Sequence, residues 1–549
     1  MRSASSKKQN FMHGAAILTI GVIIMKILGA IYKIPLGNIL GDEGYSMFIS
    51  AYSVYNIFFI LSTAGLPVAL SRMIAEADAN GRAKQEKKIF KVALSTFAVI
   101  GIAFSAILFF GNEWLAANYL ENPDAALSIK AMSPAILLVC LVSAYRGYCQ
   151  GNGNMIPTTV DEVLEVLFKV ISGLLISTLI LKAGKGLPMG SAGAILGVSI
   201  GGAVSLSYMI IYKRRNYETL AAPYTGGRDP NDVPDDDDLV DPAAKIIKDI
   251  LRIGIPIALG SCIMAILNSV DSKLCMNRLQ SAAGFTYQQA KVLYGVYGKA
   301  QTLFNLPAAF ITPLTVSVVP AIAAAIAKKE YSSATKITED SMRMSAVISM
   351  PMGVGLAVLS EPIMNMLYPG SHSAGPGLLS IMGAASFFVC ILLMENAILQ
   401  ASGKERLPMY SMITGSLVKI IVNWFLVANR SINIYGAPVG TLCGYIVMAV
   451  MNYIFMCRSL SSKPDLKKIF SGSIICSVLM GVSAIGVYKI MGAIIGTTTQ
   501  IRTALCALPA MAAAVVVYLA AVILLKTVTL EDMKLIPKGE KIGRLLHMK

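Results

Sequence analysis

Charged residues are scarce in this sequence, at 14% of 549 residues against about 25% in a typical soluble domain. Its three histidines are too few and too scattered for a metal site. The nine cysteines stand singly without a C-x-x-C pair, which excludes a zinc ribbon or a dithiol redox motif. A G-x-x-x-x-G-K-[ST] phosphate loop is also missing, which argues against direct ATP drive. The sequence therefore predicts neither an enzyme nor a resident cofactor.

Apolar residues dominate instead, at 55% of the chain, and the mean hydropathy is +0.65. Because a helix needs about 20 apolar residues to cross a bilayer, the long apolar runs mark candidate membrane spans. The sequence predicts an all-α polytopic membrane protein with fourteen transmembrane helices. These lie at 11–36, 45–71, 88–112, 126–150, 157–181, 190–213, 246–271, 287–325, 337–360, 376–402, 409–429, 436–457, 468–494 and 501–526.

The net charge of +16 would suit a nucleic-acid partner, but the basic residues sit in short loops between apolar spans. Basic clusters such as 82–88 and 213–215 fall on alternate loops, whereas the opposite loops contain few Lys and Arg and are partly acidic. This distribution follows the positive-inside rule of membrane proteins. It predicts that both termini are cytoplasmic and that nucleic acid is not a partner.

Short patterns recur in the two halves of the chain in the same order. Tyr-x-Val-Tyr occurs at 52–55 and 294–297, and Gly-Ala-x-x-Gly at 193–197 and 436–440. Another set pairs Gln150, Gly153, Pro157 and Lys169 with Gln400, Gly403, Pro408 and Lys419. Each repeat holds six spans, so the copies enter the membrane in the same direction. We expect two six-helix lobes around a central cavity.

The repeat divides the chain into predicted domains. An acidic segment rich in Pro, Gly and Asp separates the two lobes and is expected to be a cytoplasmic linker. Two extra C-terminal helices lie outside the repeat, and a basic tail follows them. The predicted boundaries are 1–222 for the N-lobe, 223–242 for the linker, 243–462 for the C-lobe, 463–530 for the extra helices and 531–549 for the tail.

Basic residues inside the spans are the most informative feature. Lys26 and Lys33 are seven residues apart in the first span, which places both on one face of a helix. We interpret them as part of a cationic cavity for an anionic, phosphate-bearing substrate, because clustered Lys and Arg bind phosphates well. The same cavity is assigned three further residues: Arg72, Arg252 and Lys299. For Arg72, Arg146 and Arg252 the alternative is an anchor that snorkels to the headgroups.

Carboxylates gather at the start of the 157–181 span, where a charge is costly. Asp161, Glu162 and Glu165 share this segment with Lys169, and Glu165 and Lys169 have the i,i+4 spacing of a helical ion pair. They are predicted to form a polar stripe that either provides counter-ions in the cavity wall or joins helices through an ion pair. Asp271 and Lys419 complete this predicted polar set. For a monovalent cation the candidates are Asp271, Asn423 and Thr441.

Glycine and proline interrupt two of the predicted spans. The pairs Gly65–Pro67 and Pro307–Pro313 fall inside the spans 45–71 and 287–325. Since proline removes a backbone hydrogen bond and bends a helix, these four residues, Gly65, Pro67, Pro307 and Pro313, are predicted to be hinges of a rocking bundle.

Two consecutive stretches resemble a known family. MKILGAIYKIPLGNILGDEGYSMF (25–48) and AYSVYNIFFILSTAGLPVALSRMIAE (51–76) are similar to the N-terminal signature of the polysaccharide exporters. That branch contains stage V sporulation protein B and the Gram-positive lipid II flippases, within the multidrug/oligosaccharidyl-lipid/polysaccharide exporter superfamily. Lys26 before Ile27-Leu28-Gly29 matches the basic helix-1 position of the flippases, and Lys33 is near their second one. Residues 60–65 depart from the Gram-negative helix-2 pattern.

The resemblance implies an alternating-access flippase in the bacterial plasma membrane. Its substrate would be an undecaprenyl-diphosphate-linked saccharide such as lipid II, moved from the inner to the outer leaflet by a monomer. The two extra helices would provide a groove for the lipid tail. Coupling to the membrane potential or to a monovalent cation is expected to power export. Two alternatives remain open: a multidrug/cation antiporter of the same superfamily, and a non-transporting scaffold for envelope or spore assembly.

Overall fold

The computed structural model describes residues 11–215, 240–459, 463–496 and 499–527. Within these ranges the chain forms helices and turns without a β-strand, as the sequence predicts. Most of the predicted linker 223–242, together with the whole basic tail 531–549, lies outside the described residues.

Seventeen α-helices follow one another in the described ranges, and we number them in chain order. In the first half they are α1 Phe11–Thr63, α2 Leu66–Ala79, α3 Ala83–Phe110, α4 Asn112–Trp114, α5 Ala126–Gly151, α6 Ile156–Lys182 and α7 Leu187–Arg215. In the second half they are α8 Ala243–Ser281, α9 Tyr287–Phe304, α10 Leu306–Ala327, α11 Tyr331–Val358, α12 Ser360–Leu367, α13 Gly375–Ala401, α14 Arg406–Leu426, α15 Gly436–Ser459, α16 Leu466–Ile495 and α17 Gln500–Leu524.

Thirteen helical segments of the described chain are long and apolar enough to cross a membrane. The first of them, Ile24–Ala79, is 56 residues long, about twice the length of a single span. It contains a break at Gly41, whose φ of 66° and ψ of −173° are not helical and are readily adopted only by glycine. The break falls between the predicted spans 11–36 and 45–71, so this segment accounts for two of the fourteen predicted helices.

The chain divides into two compact units, Met1–Lys273 and Leu274–Lys549. In the first unit, α5 packs against α3 and α7, and α6 packs against α7 and α1. Small residues allow close approaches of these helices: a side chain on Gly197 would lie 2.6 Å from the backbone of Gly173. Such small-residue crossings are typical of membrane helices, which associate by close packing rather than by the hydrophobic effect.

The second unit repeats this arrangement. Here α13 packs against α11 and α15, and α14 packs against α15. The two extra helices, α16 and α17, pack against each other, and α16 also contacts α11. Apolar side chains such as Val478, Val482 and Val516 remain exposed on these two helices, as expected for a surface that faces lipid.

The predicted lobe boundary at 243 stays a prediction, and most of α8 belongs to the first compact unit. The physical reason is the close approach of Gly65 to Gly254 in α8, where a side chain on Gly65 would overlap the Gly254 carbonyl oxygen. The same helix is held at Cys262, whose thiol contacts the Ile57 carbonyl oxygen at 3.6 Å.

The predicted hinge residues lie at helix breaks or inside a helix. Gly65 separates α1 from α2, and Pro67 occupies the first turn of α2. Pro307 likewise stands in the first turn of α10, after the break at Asn305, while Pro313 lies inside α10. Both interruptions predicted from the sequence are therefore present as breaks in the helices, and the hinge motion itself stays a prediction.

Candidate functional site

Arg146 of α5 is the centre of a buried charge cluster in the first unit. Its Nε and Nη2 atoms both lie 2.8 Å from Asp161 Oδ2, and Nη2 lies 2.9 Å from Glu165 Oε2. Glu162 is further away, at 3.7 Å from Nη1. Ser205 of α7 donates a hydrogen bond to the same Asp161 oxygen at 2.8 Å. One guanidinium thus meets three carboxylates of α6, an arrangement we call the Arg146 junction.

The junction exists because three helices cross where their side chains are short or polar. Asp161 is fully buried and Arg146 is 8% exposed, so neither charge reaches bulk water. Gly201 in α7 allows that helix to approach the backbone of Glu165, since a larger residue there would overlap the Glu165 carbonyl oxygen. A buried carboxylate is stable only when it is paired and hydrogen-bonded. Arg146 and Ser205 supply these contacts to Asp161 Oδ2, while Asp161 Oδ1 is buried without a hydrogen-bond partner in the described part of the chain.

These contacts correct two predictions. Glu165 pairs with Arg146 and not with Lys169, although Lys169 is one turn along the same helix. The guanidinium offers a rigid fork that can serve two carboxylates at once, which a single ammonium cannot match. Arg146 is therefore an interhelical ion-pair partner rather than a residue that snorkels to the headgroups. Of the two predicted roles of the acidic stripe, the structure shows the ion pair that joins helices.

Three lysines of α1 and α6 form a separate group. Lys26 and Lys169 are near enough to Lys33 for their charges to act on it, and the Lys33 ammonium also lies 5.7 Å from the centroid of the Tyr52 ring. Lys26 is exposed, while Lys33 and Lys169 are half-buried. None of the three pairs with a carboxylate within the described ranges of the chain. We refer to Lys26, Lys33 and Lys169 as the lysine group.

The other two cationic residues predicted in the first half meet elsewhere. Arg72 and Arg252 line one cavity of about 620 Å³ at the ends of α2 and α8, together with Arg82 and Lys245. Three acids, Glu76, Asp241 and Asp249, contribute to the same wall. The cavity wall therefore combines four basic side chains with three acidic ones, and Arg72 and Arg252 are exposed.

One side of this cavity is fixed by the segment that leads into α8. Gln85 donates a hydrogen bond to Asp241 Oδ2 at 3.0 Å and accepts one from the Asp241 backbone N–H at 2.9 Å. Lys245 adds an ion pair to Asp241 at 2.7 Å. The last residues of the predicted linker are therefore attached to the start of α3.

Lys299 belongs to α9 of the second unit. Its side chain is 3% exposed, and its ammonium lies 5.2 Å from the centroid of the Tyr368 ring. This burial differs from the prediction that Lys299 faces a hydrated cavity. Its assignment to the substrate site stays a prediction.

The candidate cation ligands are buried as well. Asp271 is 4% exposed in the first unit, and Asn423 and Thr441 are 0% and 4% exposed in the second. Lys419 is in α14, the counterpart of α6. In the part of the chain that the structure describes, no group of three or more His, Cys, Asp or Glu side chains could hold a metal ion. A monovalent cation site at Asp271, Asn423 and Thr441 stays a prediction.

The second unit contains an uncharged counterpart of the Arg146 junction. There Ser411 of α14 donates a hydrogen bond to Asn452 Oδ1 of α15 at 2.6 Å, and Asn452 Nδ2 donates to Asn396 Oδ1 of α13 at 2.7 Å. The same three helices of the repeat are joined, but with amides and a hydroxyl. In the repeat Asn396 corresponds to Arg146, and Ser411 corresponds to Asp161.

Comparison with known proteins places the chain in a family. The family model described as "Polysaccharide biosynthesis protein" matches residues 11–326, more than half of the chain. The chain belongs to the polysaccharide biosynthesis protein family. A second model, MatE, matches residues 289–425.

Several relatives come from Bacillus subtilis (strain 168). The uncharacterized membrane protein YabM is 24% identical over 99% of this chain and 98% of its own length. Stage V sporulation protein B is 24% identical over 88% of this chain and 91% of its own. Lipid II flippase MurJ is 25% identical over 88% of this chain and 89% of its own.

Solved structures show the same fold. The lipid II flippase MurJ in an inward closed conformation superposes with a TM-score of 0.65 at 15% identity, over 94% of this chain and 100% of that structure. An inward-facing multidrug resistance MATE family transporter gives 0.61 at 16% identity, over 81% and 98%. The chain thus has the fold of the superfamily to which its N-terminal signature points.

The sequence alone missed the role of Arg146 and the contribution of Ser205. The available signal for Arg146 was its place in the repeat, since it lies four residues before Gln150 and the second half has Asn396 four residues before Gln400. Ser205 carries no charge and stands in a helix rich in Gly, Ala and Ser, so no pattern distinguished it.

Proposed function

We propose that this protein is a flippase that moves an undecaprenyl-diphosphate-linked saccharide, with lipid II as the substrate to test first, across the plasma membrane by alternating access. The observation that supports this most directly is the lysine group. Three ammonium groups from two spans share one region, and they do not pair with a carboxylate in the described part of the chain.

Three ammonium groups in one region of the membrane are energetically unfavourable without a bound anion. A lysine at the centre of a membrane helix costs roughly 2.5–3.5 kcal/mol even on insertion scales, and three cations near one another add mutual repulsion. A diphosphate would offset both terms, because its oxygens accept charge-assisted hydrogen bonds from several ammonium groups at once. A cationic drug would add to the repulsion instead.

The cavity at Arg72 and Arg252 supports a first contact with the substrate. It lies where α2, α3 and α8 begin or end near basic loops, the side that the positive-inside rule assigns to the cytoplasm. A diphosphate headgroup that enters from the inner leaflet would meet these two guanidinium groups before it reaches the lysine group.

The direction of transport agrees with the charge of the substrate. Moving a net charge of about −2 outward through an inside-negative membrane releases about 4 to 5 kcal/mol per 100 mV. Export can therefore be driven by the membrane potential, with a monovalent cation as an additional source of energy.

Complementation tests the proposal. The gene is expressed in a bacterium depleted of its lipid II flippase, as wild type and as the variants Lys26→Gln, Lys33→Gln and Lys169→Gln. Growth is expected with the wild type and is expected to be lost in the combined lysine variant. The matched control is Lys182→Gln, an exposed lysine near the end of the same helix α6. Failure of the wild type to support growth, or full growth of the combined variant, would contradict the proposal.

A multidrug/cation antiporter is the second candidate, favoured by the MatE match and by the acids of α6. Against it, Asp161 and Glu165 are engaged by Arg146 and so are not available to a cationic drug. Proton- or sodium-driven efflux of a cationic dye from proteoliposomes, without transport of lipid-linked diphosphates, would favour the antiporter.

The scaffold alternative predicts instead that the lysine variants support normal growth while loop deletions do not.

A further inference from the structure

We propose that Arg146 is a positioning residue for the anion site: it holds Asp161 and Glu165 so that Lys169, and with it the lysine group, stays available to an anionic substrate. This inference rests on the proposed function, since it assigns a task to a residue that does not itself belong to the lysine group. Its basis is that Glu165 pairs with Arg146 rather than with Lys169.

Glu165 has two basic residues within reach. Lys169 is four residues further along α6, at the spacing at which an acid-first pair stabilises a helix. Arg146 belongs to the neighbouring helix α5 and lies 2.9 Å from the Glu165 carboxylate. Glu165 pairs with Arg146, and Lys169 pairs with no carboxylate in the described ranges. The guanidinium therefore removes the nearest competitor for Lys169.

The same reasoning applies to Asp161, one turn before Glu165. Its Oδ2 accepts hydrogen bonds from Arg146 and from Ser205, and the side chain is fully buried. Without Arg146 its charge would lie in a low-dielectric environment in which electrostatic attraction to the lysine group is strong. Arg146 thus engages the acids of α6 that precede Lys169 by one turn, at Glu165, and by two turns, at Asp161.

The second unit shows that packing alone does not need these charges. Its three corresponding helices are joined by Asn396, Ser411 and Asn452 through two neutral hydrogen bonds. Since Gly415 corresponds to Glu165 in the repeat, the second unit also has no acid one turn before its own lysine, Lys419. Only the first of the two units has an acid one turn before its lysine, and that unit is also the one with an arginine at this junction.

The second unit also supplies a variant designed to fold. Replacing Arg146 and Asp161 by their counterparts in the neutral junction, with Ser205 kept as the α7 member, gives Arg146→Asn with Asp161→Ser. This variant leaves Glu165 without its partner. Glu165 is then free to pair with Lys169. Adding Glu165→Gln removes that competitor while leaving the neutral junction unchanged.

The decisive readout is the reactivity of the Lys169 amine, which needs no substrate. Purified full-length protein is treated with an amine-acylating reagent, and the rate at Lys169 is followed by peptide mass spectrometry, with Lys182 as the internal reference. We expect Lys169 to be labelled in the Arg146→Asn/Asp161→Ser variant at about one third of the wild-type rate or below. An ion pair with Glu165 keeps the Lys169 nitrogen protonated, and only the neutral amine, which has a lone pair, attacks the reagent. The added Glu165→Gln should restore the wild-type rate.

Two results would overturn the proposal: an unchanged Lys169 rate in the Arg146→Asn/Asp161→Ser variant, or a slow rate that Glu165→Gln does not restore. A second variant, Arg146→Lys, tests the same point if the neutral junction does not fold. It keeps one charge but lacks the fork, so it is expected to give a Lys169 rate between the wild type and the neutral junction. A wild-type rate at Lys169 in folded Arg146→Lys would also count against the proposal.

Binding of inorganic pyrophosphate separates this inference from the proposed function. If Arg146 positions the site, adding Lys169→Gln weakens pyrophosphate binding by the wild type and by the Arg146→Asn/Asp161→Ser/Glu165→Gln variant. In the Arg146→Asn/Asp161→Ser background, the same change has little effect on pyrophosphate binding. Equal weakening in all three backgrounds would show an anion site that does not depend on Arg146. No binding by any of them, with the labelling pattern as expected, would count against the proposed function and leave the positioning by Arg146 supported.

Discussion

Glu165 accepts a hydrogen bond from Arg146 at 2.9 Å, although Lys169 stands one helical turn away on the same face of α6. This pairing distinguishes the Arg146 junction, in which one guanidinium meets three carboxylates, from the lysine group, which pairs with no carboxylate in the described ranges. The proposed function depends on that distinction, and several consequences can be measured.

Asp161 should be essential to the stability of the first unit. Replacing it by Ala leaves the Arg146 guanidinium buried with one fewer partner, and breaking a buried ion pair costs about 3–5 kcal/mol. Ser205→Ala removes a single hydrogen bond to the same carboxylate and should cost about 1–3 kcal/mol. Thermal unfolding in detergent would show the order Asp161→Ala, Ser205→Ala, wild type, from least to most stable.

The control for this series is Ser207→Ala, on the exposed side of the same helix α7, where the hydroxyl bonds only to the Ala203 carbonyl oxygen. It should unfold at the wild-type temperature. Equal stability of Asp161→Ala and wild type would show that the carboxylate is not held as the structure describes.

Gly65 should not tolerate a side chain. A Cβ atom there would overlap the Gly254 carbonyl oxygen, so Gly65→Ala must push α2 and α8 apart. We expect a large loss of folded protein in size-exclusion profiles. The matched control is Gly260→Ala in α8, where nothing lies within 4 Å of the added carbon. Comparable yields of the two variants would contradict the close packing at this break.

The arginines of the cavity should affect uptake of the anionic substrate rather than folding. Arg72→Gln and Arg252→Gln each remove a charge-assisted interaction worth about 1.5–3 kcal/mol, which corresponds to a loss of roughly ten- to a hundredfold in affinity for a diphosphate. Lys248→Gln, an exposed change on α8 outside the cavity wall, is the control. Binding of pyrophosphate by calorimetry, with the melting temperature measured beside it, would separate a lost contact from a lost fold.

The neutral junction of the second unit should behave differently from the charged one. Asn452→Ala leaves the Asn396 side-chain oxygen without its donor, a cost of about 1–3 kcal/mol, whereas the Ser411 hydroxyl keeps the Pro408 carbonyl oxygen as an acceptor. Because Asn452→Ala leaves no buried charge without a partner, its effect on stability should be smaller than that of Asp161→Ala. A larger loss of stability in Asn452→Ala would show that the two junctions do not have the roles assigned to them.

The sequence predicted features that depend on neighbouring residues, but it did not predict which side chains of different helices form ion pairs. The spans followed from hydropathy, and the breaks at Gly65 and Asn305 followed from neighbouring prolines, because both are local properties of the chain. Glu165 was assigned to Lys169, its local neighbour, whereas its partner Arg146 comes from another helix. Whether Glu165 pairs with Arg146 or with Lys169 depends on the distance between α5 and α6, and that distance is set by the packing of the folded chain.

The placement of the predicted cationic residues shows the same limit. The charge of Lys26, seven residues before Lys33 in α1, acts on Lys33, and Lys169 adds its charge through the packing of α1 on α6. Arg72 and Arg252 share a cavity of their own, while Lys299 is buried against Tyr368 in the other unit. Sequence identified the charges, but their division into groups came from helix packing.

Flipping of lipid II in proteoliposomes tests the central claim most directly. Protein is reconstituted with labelled lipid II, and its arrival in the opposite leaflet is measured with and without an imposed potential, for the wild type, the combined Lys26→Gln/Lys33→Gln/Lys169→Gln variant and Lys182→Gln. We predict flipping that the potential accelerates in the wild type and in Lys182→Gln, and none above protein-free vesicles in the combined variant. Flipping at the wild-type rate without the lysine group would contradict the account.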